Sequence, residues 1–295
     1  MIPSRITDNK VLLASDPGYV GRLHLVGSAA LVKAWLNGDW TAVEGAFFTE
    51  WSEAEHVISP FAMPDYWHRF RSADWGSAKP FSIGWWGVVS DDYRIESGKV
   101  LPRGAIVRYR EWYGATSPNV GLKLPAEAVA QGIKAREIGD PKGMQGVLDP
   151  AAFSEDGGPS IAERMAIEGV HFTRADNARV ARNGAQGGWD QVRSRLIGTA
   201  KIDDKTRAID WSEGRPMLFV FSTCKALIRT LPALQHDHSR AEDVDTEQED
   251  HAPDEARYAC MSRPYVTKKP DPERVRDDAY RDHNSSYRDL DPLTM

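Results

Sequence analysis

Arg69-Phe-Arg-Ser-Ala-Asp74, Phe81-Ser-Ile-Gly-Trp-Trp-Gly-Val-Val89 and Ala105-Ile-Val-Arg-Tyr-Arg-Glu-Trp-Tyr113 are three β-type runs in immediate succession. The second is apolar on both of its faces, and turn signals at 76–80 and around Ser97-Gly98 separate the runs. Three strands joined by short connections form an antiparallel meander.

The pattern then changes character. Residues 125–138 are good helix formers ended by Gly139, residues 145–148 form a short apolar strand, and residues 160–168 read as a helix opened by a Ser160/Glu163 capping box. A strand at 172–174, a helix at 189–197, an apolar strand at 217–222 and a helix at 224–230 follow. Strands that alternate with helices pair in parallel. A three-stranded meander followed by such alternation is the layout of the ribonuclease H-like fold, an α/β fold with a mixed sheet flanked by helices.

Three acids stand where this layout turns a sheet into a site. Asp74 ends the first strand in Ala-Asp-Trp-Gly, and its alternation partners Phe70 and Ser72 place it on one face. Asp149, in Val-Leu-Asp-Pro, closes the strand at 145–148, where Pro150 stops the ladder and leaves the carboxylate at the carboxyl end of the strand. Asp254 follows Pro253 in the first turn of a helix, where negative charge is favoured. On that helix Asp250 and His251 lie four and three residues before Asp254, within reach of one face, which makes both auxiliary ligand candidates. Hard carboxylate oxygens suit magnesium, which keeps several waters for a substrate. Two such ions about 4 Å apart activate a water and stabilise the leaving oxygen of a phosphodiester. Trp75, Trp85, Trp86 and Trp189 read as core and sheet-packing aromatics.

At 295 residues and 41% apolar content the chain is long enough for a substantial core. Its two cysteines, Cys224 and Cys260, lie among apolar neighbours without metal or redox spacing and are expected as free core residues. No basic leader and no apolar run of bilayer length occurs. The net charge of -6 is unevenly placed, since residues 237–255 hold nine acids against Arg240 alone. Arg94, Lys99, Arg103, Arg108 and Arg110 gather around one hairpin, and Arg174, Arg179, Arg182, Arg193 and Arg195 around one helix, so a basic face is compatible with the net sign.

From Arg69 to Met261 the chain resembles the C-terminal nuclease domain of the large terminase subunit of tailed bacteriophages. The resemblance rests on Ala-Asp-Trp-Gly, Val-Leu-Asp-Pro-Ala-Ala-Phe, Arg-Ala-Asp-Asn-Ala-Arg at 174–179, Arg-Thr-Leu-Pro at 229–232 and Glu-Asp-His-Ala-Pro-Asp-Glu-Ala-Arg-Tyr-Ala at 249–259. It implies a ribonuclease H-like endonuclease that cuts concatemeric double-stranded DNA during genome packaging. It further implies that Asp74, Asp149 and Asp254 bind two magnesium or manganese ions, with His251 and Asp250 beside them. Arg94, Lys99 and Arg103, in the hairpin at 91–104, and Arg179 are the expected DNA contacts. Portal protein and the small terminase subunit are the implied partners, in the cytoplasm of a bacterial host. Pro253 and Glu255 depart from the small or apolar residues expected around the third acid. No Gly-x-x-x-x-Gly-Lys-Ser/Thr occurs, so the ATPase motor is expected to be missing from this chain, as in a split gene or a prophage remnant. The expected division is a lead-in at 1–64 resembling the segment after the motor, the nuclease domain at 65–262 and a polar, disordered tail at 263–295. Two alternatives stand beside this reading: a non-catalytic DNA- or portal-docking subunit with a decayed centre, and another ribonuclease H-like nuclease such as a resolvase or transposase.

Overall fold

The structure is a computed structural model that describes residues 46–262 except 156, 183, 204–207 and 241, and in addition residues 266–267. Residues 1–45 of the lead-in expected at 1–64 and nearly all of the tail expected at 263–295 lie outside the described residues.

A seven-stranded mixed sheet forms the centre: β1 (Val57–Ile58), β2 (His68–Asp74), β3 (Ser82–Val88), β4 (Ile106–Tyr113), β5 (Gln145–Leu148), β6 (Thr173–Arg174) and β7 (Leu218–Phe221), in the order β1-β7-β4-β3-β2-β5-β6. The β2-β3-β4 meander is antiparallel, and every other neighbouring pair is parallel. The chain therefore adds β5 and β6 beside β2, then crosses the meander to lay β7 against β4. Around the sheet lie α1 (Glu53–His56), α2 (Ala126–Arg136), α3 (Ile161–Ile167), α4 (Gly188–Ile197), α5 (Lys225–Thr230) and α6 (His251–Met261). The expected capping box forms at the start of α3, where the Ser160 hydroxyl accepts from the Glu163 N–H and the Glu163 carboxylate from the Ser160 N–H.

Two adjacent tryptophans assign the layers. Trp85 donates its indole N–H to Glu137, just past α2, whereas Trp86 donates to Glu255 of α6. Successive strand residues point to opposite faces, so α2 with α3 covers one face and α6, flanked by α4 and α5, covers the other. Both indoles are completely buried and both N–H groups are satisfied, which places a large apolar area in the core without an orphaned donor. Trp189 is buried as expected, and Trp75 is half-buried against the core. Cys224 and Cys260 are buried and free.

One expectation is corrected. Arg108 and Arg110 do not contribute to a basic face: Arg108 is fully buried against Glu255, and Arg110 pairs with Asp140 on the opposite side of the sheet. A guanidinium on an interior strand is drawn to a carboxylate because burial of an unpaired charge is costly.

Candidate active site

Strand register brings the first two acids together. Ala73 of β2 lies beside Leu148 of β5, and the Asp149 N–H continues that ladder by donating to the Ala73 carbonyl at 3.1 Å. Asp74 and Asp149 thus sit at the carboxyl ends of neighbouring parallel strands, where open α/β sheets place their sites. Pro150 ends β5 by opening a short 3-10 turn (Pro150–Phe153), and the Asp149 carboxylate accepts from the Ala151 N–H at 3.3 Å.

Helix α6 supplies the third acid. Its first residue, His251, donates Nδ1–H to the Asp74 carboxylate at 3.0 Å. One turn later stands Asp254, and four residues beyond it the Tyr258 hydroxyl donates to Asp149 at 3.4 Å. Residues three and four apart share a helix face, so His251, Asp254 and Tyr258 all look toward the strand ends. Asp250 lies just before the helix, and its side chain makes no cap hydrogen bond.

The cluster is electrostatically strained. Burial, followed by the neighbouring charges of Asp254 and Asp149, pushes the Asp74 carboxyl up to about 7 against the opposing hydrogen bond from His251. Burial and Asp254 push Asp250 up to about 6. Burial acts against the His251 charge, but the hydrogen bond and charge of Asp74 prevail and raise its pKa. Burial likewise opposes the Arg179 charge, and Asp254, Asp243 and Asp250 outweigh it.

Two guanidiniums answer the acids. Arg257 donates Nε–H to Asp254 at 2.9 Å, while Arg179 donates to Asp243 at 2.8 Å and to Asp254 at 3.4 Å and lies 3.6 Å from Asp250. Both guanidiniums lie over the buried Trp189 ring, at 5.2 Å for Arg179 and 5.0 Å for Arg257. Gly188 makes room for Arg257, because a Cβ there would stand 2.7 Å from the arginine Cγ. Sequence reading assigned no role to Arg257 or Tyr258; their spacing of three and four from Asp254 was the available signal.

The donor chemistry suits a hard divalent cation: carboxylates from three elements repel one another, and the His251 Nε2 is buried without a hydrogen-bond partner. Among the described residues, however, no group of three or more His, Cys, Asp or Glu side chains stands in an ion-holding arrangement. His251, Arg179 and Arg257 engage carboxylate oxygens of Asp74 and Asp254, so those side chains face protein cations.

Of the expected DNA contacts, the fold brings only Arg179 to the acids. Asp74 lies opposite Ser82 at the start of β3, and the hairpin carrying Arg94, Lys99 and Arg103 follows Val88 at the far end of that strand, roughly 20 Å away at about 3.3 Å per residue. There Arg94 donates to the Gly98 carbonyl, Lys99 to Ala54, Glu55 and the Glu55 carboxylate, and Arg103 to the Ser90 carbonyl. At the acid end, Lys79, Lys123 and Arg174 are exposed.

No protein-family model matches the sequence, and no curated protein matches it either. Solved structures do. The P22 large terminase nuclease domain superposes with a TM-score of 0.51 at 15% identity, covering 76% of this chain and 95% of that domain. Large terminase from a thermophilic bacteriophage superposes with the same score at 18% identity, covering 88% of this chain and 54% of the terminase. The complex of that terminase with ADP gives 0.51 at 19% identity over 86% and 53%. This chain spans about half the length of the thermophilic phage protein. At these identities the likeness establishes the fold: the chain has the ribonuclease H-like fold of terminase nuclease domains.

Proposed function

We propose that this chain, with the fold of large-terminase nuclease domains as premise, is a metal-dependent endonuclease that cleaves double-stranded DNA. The observation that carries the reading is the convergence of Asp74, Asp149 and Asp254 from two strand ends and one helix at the carboxyl end of that sheet. Magnesium or manganese, held as two ions by these carboxylates, would supply an activated water and neutralise charge developing on the phosphodiester. His251 orients Asp74, Tyr258 orients Asp149, and Arg257 fixes one oxygen of Asp254. Arg179 and Asp250 stand at the edge of the same cluster, where the guanidinium balances the acids through Asp243 and Asp254 and would meet a phosphate by exchanging one of these contacts for it. Lys79, Lys123 and Arg174 would contact the duplex backbone around the acids, giving affinity without reading bases.

The likeness to the large terminases of P22 and of the thermophilic phage supports a role in phage genome packaging, on concatemeric DNA in a bacterial host, with portal protein and the small terminase subunit as partners. Among the described residues no helix is long and apolar enough to cross a membrane. On this reading the nuclease unit takes in the described residues 46–64 as well as 65–262, because β1 pairs with β7 in the central sheet and Phe47, Phe48 and Trp51 are buried in the same core.

A non-catalytic DNA- or portal-docking subunit is the competing reading, and the pairing of Asp254 with Arg179 and Arg257 is the observation that favours it. Titration with manganese by calorimetry, alongside duplex cleavage, separates them. Binding that disappears in Asp149→Asn together with cleavage supports the nuclease; duplex binding without ion binding or cleavage supports the docking subunit.

A further inference from the structure

Glu255, the residue after Asp254, and Arg108 of β4 are both fully buried and form an ion pair at 2.5 Å. One step along a helix turns the side chain by about 100°, so Glu255 points into the sheet while Asp254 faces the strand ends. Its Oε1 accepts from the Ser72 hydroxyl and from the Trp86 indole N–H at 3.0 Å, and its Oε2 accepts from the Ser82 hydroxyl at 3.4 Å. Ser72 precedes Asp74 by two residues on the same face of β2, and Ser82 is the residue opposite Asp74 in the β2-β3 ladder. The carboxylate is therefore tied to both strands that set the position of Asp74. Space for it comes from Gly84, where a Cβ would overlap Glu255 Oε1. Arg108 lies 3.4 Å from Glu111, whose carboxylate accepts from the Ala226 and Leu227 N–H groups of α5.

Stability alone is a poor reason for this arrangement. Arg108 Nε and Nη1 are buried without partners, and buried ion pairs exchanged for apolar residues of similar volume are often as stable or more so. What an apolar contact lacks is direction: packed side chains let a helix slide or roll, whereas a carboxylate bound on both oxygens fixes depth and rotation.

We propose that the Glu255–Arg108 pair is a positioning device that sets the depth and rotation of α6 so that Asp254 and Tyr258 meet Asp74 and Asp149. The proposal rests on the metal-centre reading above. It concerns positioning only, since neither residue reaches the acids themselves.

The test is the double substitution Arg108→Met with Glu255→Leu in the full chain, measured for thermal stability and for manganese affinity by calorimetry. The exchange leaves the Trp86 N–H on the Ser72 hydroxyl and Glu111 on α5, while the Ser72 and Ser82 hydroxyls lose Glu255 as acceptor, a cost set against removal of the unpartnered Arg108 nitrogens. The expected result is a native-like melting transition with manganese affinity about tenfold or more weaker. Unchanged affinity in the folded double variant overturns the proposal. If the double variant does not fold, Gly84→Ala replaces it, because it keeps both charges and displaces the carboxylate; weaker manganese binding supports the proposal and unchanged binding overturns it. Absence of manganese binding in the unsubstituted chain instead overturns the metal-centre reading, and the positioning proposal with it.

Discussion

The Asp74 carboxylate and the His251 imidazole, 177 residues apart in sequence, meet at 3.0 Å and join the end of β2 to the first turn of α6. The contact closes the acid cluster around a carboxyl that burial and two neighbouring acids hold far from its ordinary titration range.

A pH dependence follows from Asp74. Its carboxyl titrates near 3.8 when unperturbed and is pushed up to about 7 in the fold. The folded chain keeps a proton that the unfolded chain releases, so this group's contribution to stability is full below about 3.8 and is lost as pH rises to about 7. At about 1.4 kcal/mol per unit the loss is at most on the order of 4 kcal/mol. Melting of the unsubstituted chain and of Asp74→Asn in the presence of a chelator should give curves that diverge above about pH 5, with the asparagine variant more stable at about pH 8. Parallel curves would remove the strained carboxyl from the account.

Breaking the Glu255–Arg108 pair on one side has a different signature from replacing both partners. Glu255→Gln leaves the buried Arg108 guanidinium with only the Glu111 carboxylate, at 3.4 Å, to answer its charge, and removing one partner of a buried pair costs up to about 3–5 kcal/mol. Denaturant unfolding should place the single variant well below both the unsubstituted chain and Arg108→Met with Glu255→Leu. A single variant as stable as either would mean that Arg108 finds water or another partner.

The two ends of β3 make separable predictions for DNA. Alanine at Lys79 or Lys123, beside the acids, should weaken duplex binding and lower the salt slope by about 1 for each phosphate that is no longer engaged. Arg94→Ala, Lys99→Ala and Arg103→Ala, at the far end, report whether the duplex also runs past the opposite edge of the sheet. Salt-dependent binding to a non-specific duplex, measured for both sets, reads this directly. Insensitivity at Lys79 and Lys123 together with weakened binding from the far-end variants would separate the DNA path from the acids.

Much of this arrangement was legible because local signals agreed. The two-sided apolar run of β3, the turn at 76–80 and the Pro150 stop after Asp149 fix the meander and two strand ends, and the spacing of Asp250, His251 and Asp254 places them on one helical turn. The crossover that lays β7 against β4 was not legible, since a short apolar strand carries no mark of its neighbour. Arg108 and Glu255 were opaque for another reason: a charge buried by a partner 147 positions away is indistinguishable in sequence from one facing water. The placement of Arg94, Lys99 and Arg103 had a usable signal, because in a meander the connection after a strand lies at the opposite end from the connection before it.

Conversion of supercoiled plasmid to nicked and linear forms with manganese, for the unsubstituted chain, for Asp149→Asn and with a chelator, separates a metal-dependent nuclease centred on Asp149 from a subunit that only docks on DNA. Cleavage by the unsubstituted chain should be abolished by the chelator and by the substitution, with Asp149→Asn still folded. Cleavage that survives Asp149→Asn or the chelator, or a folded chain that binds duplex and never cuts it, would contradict this reading.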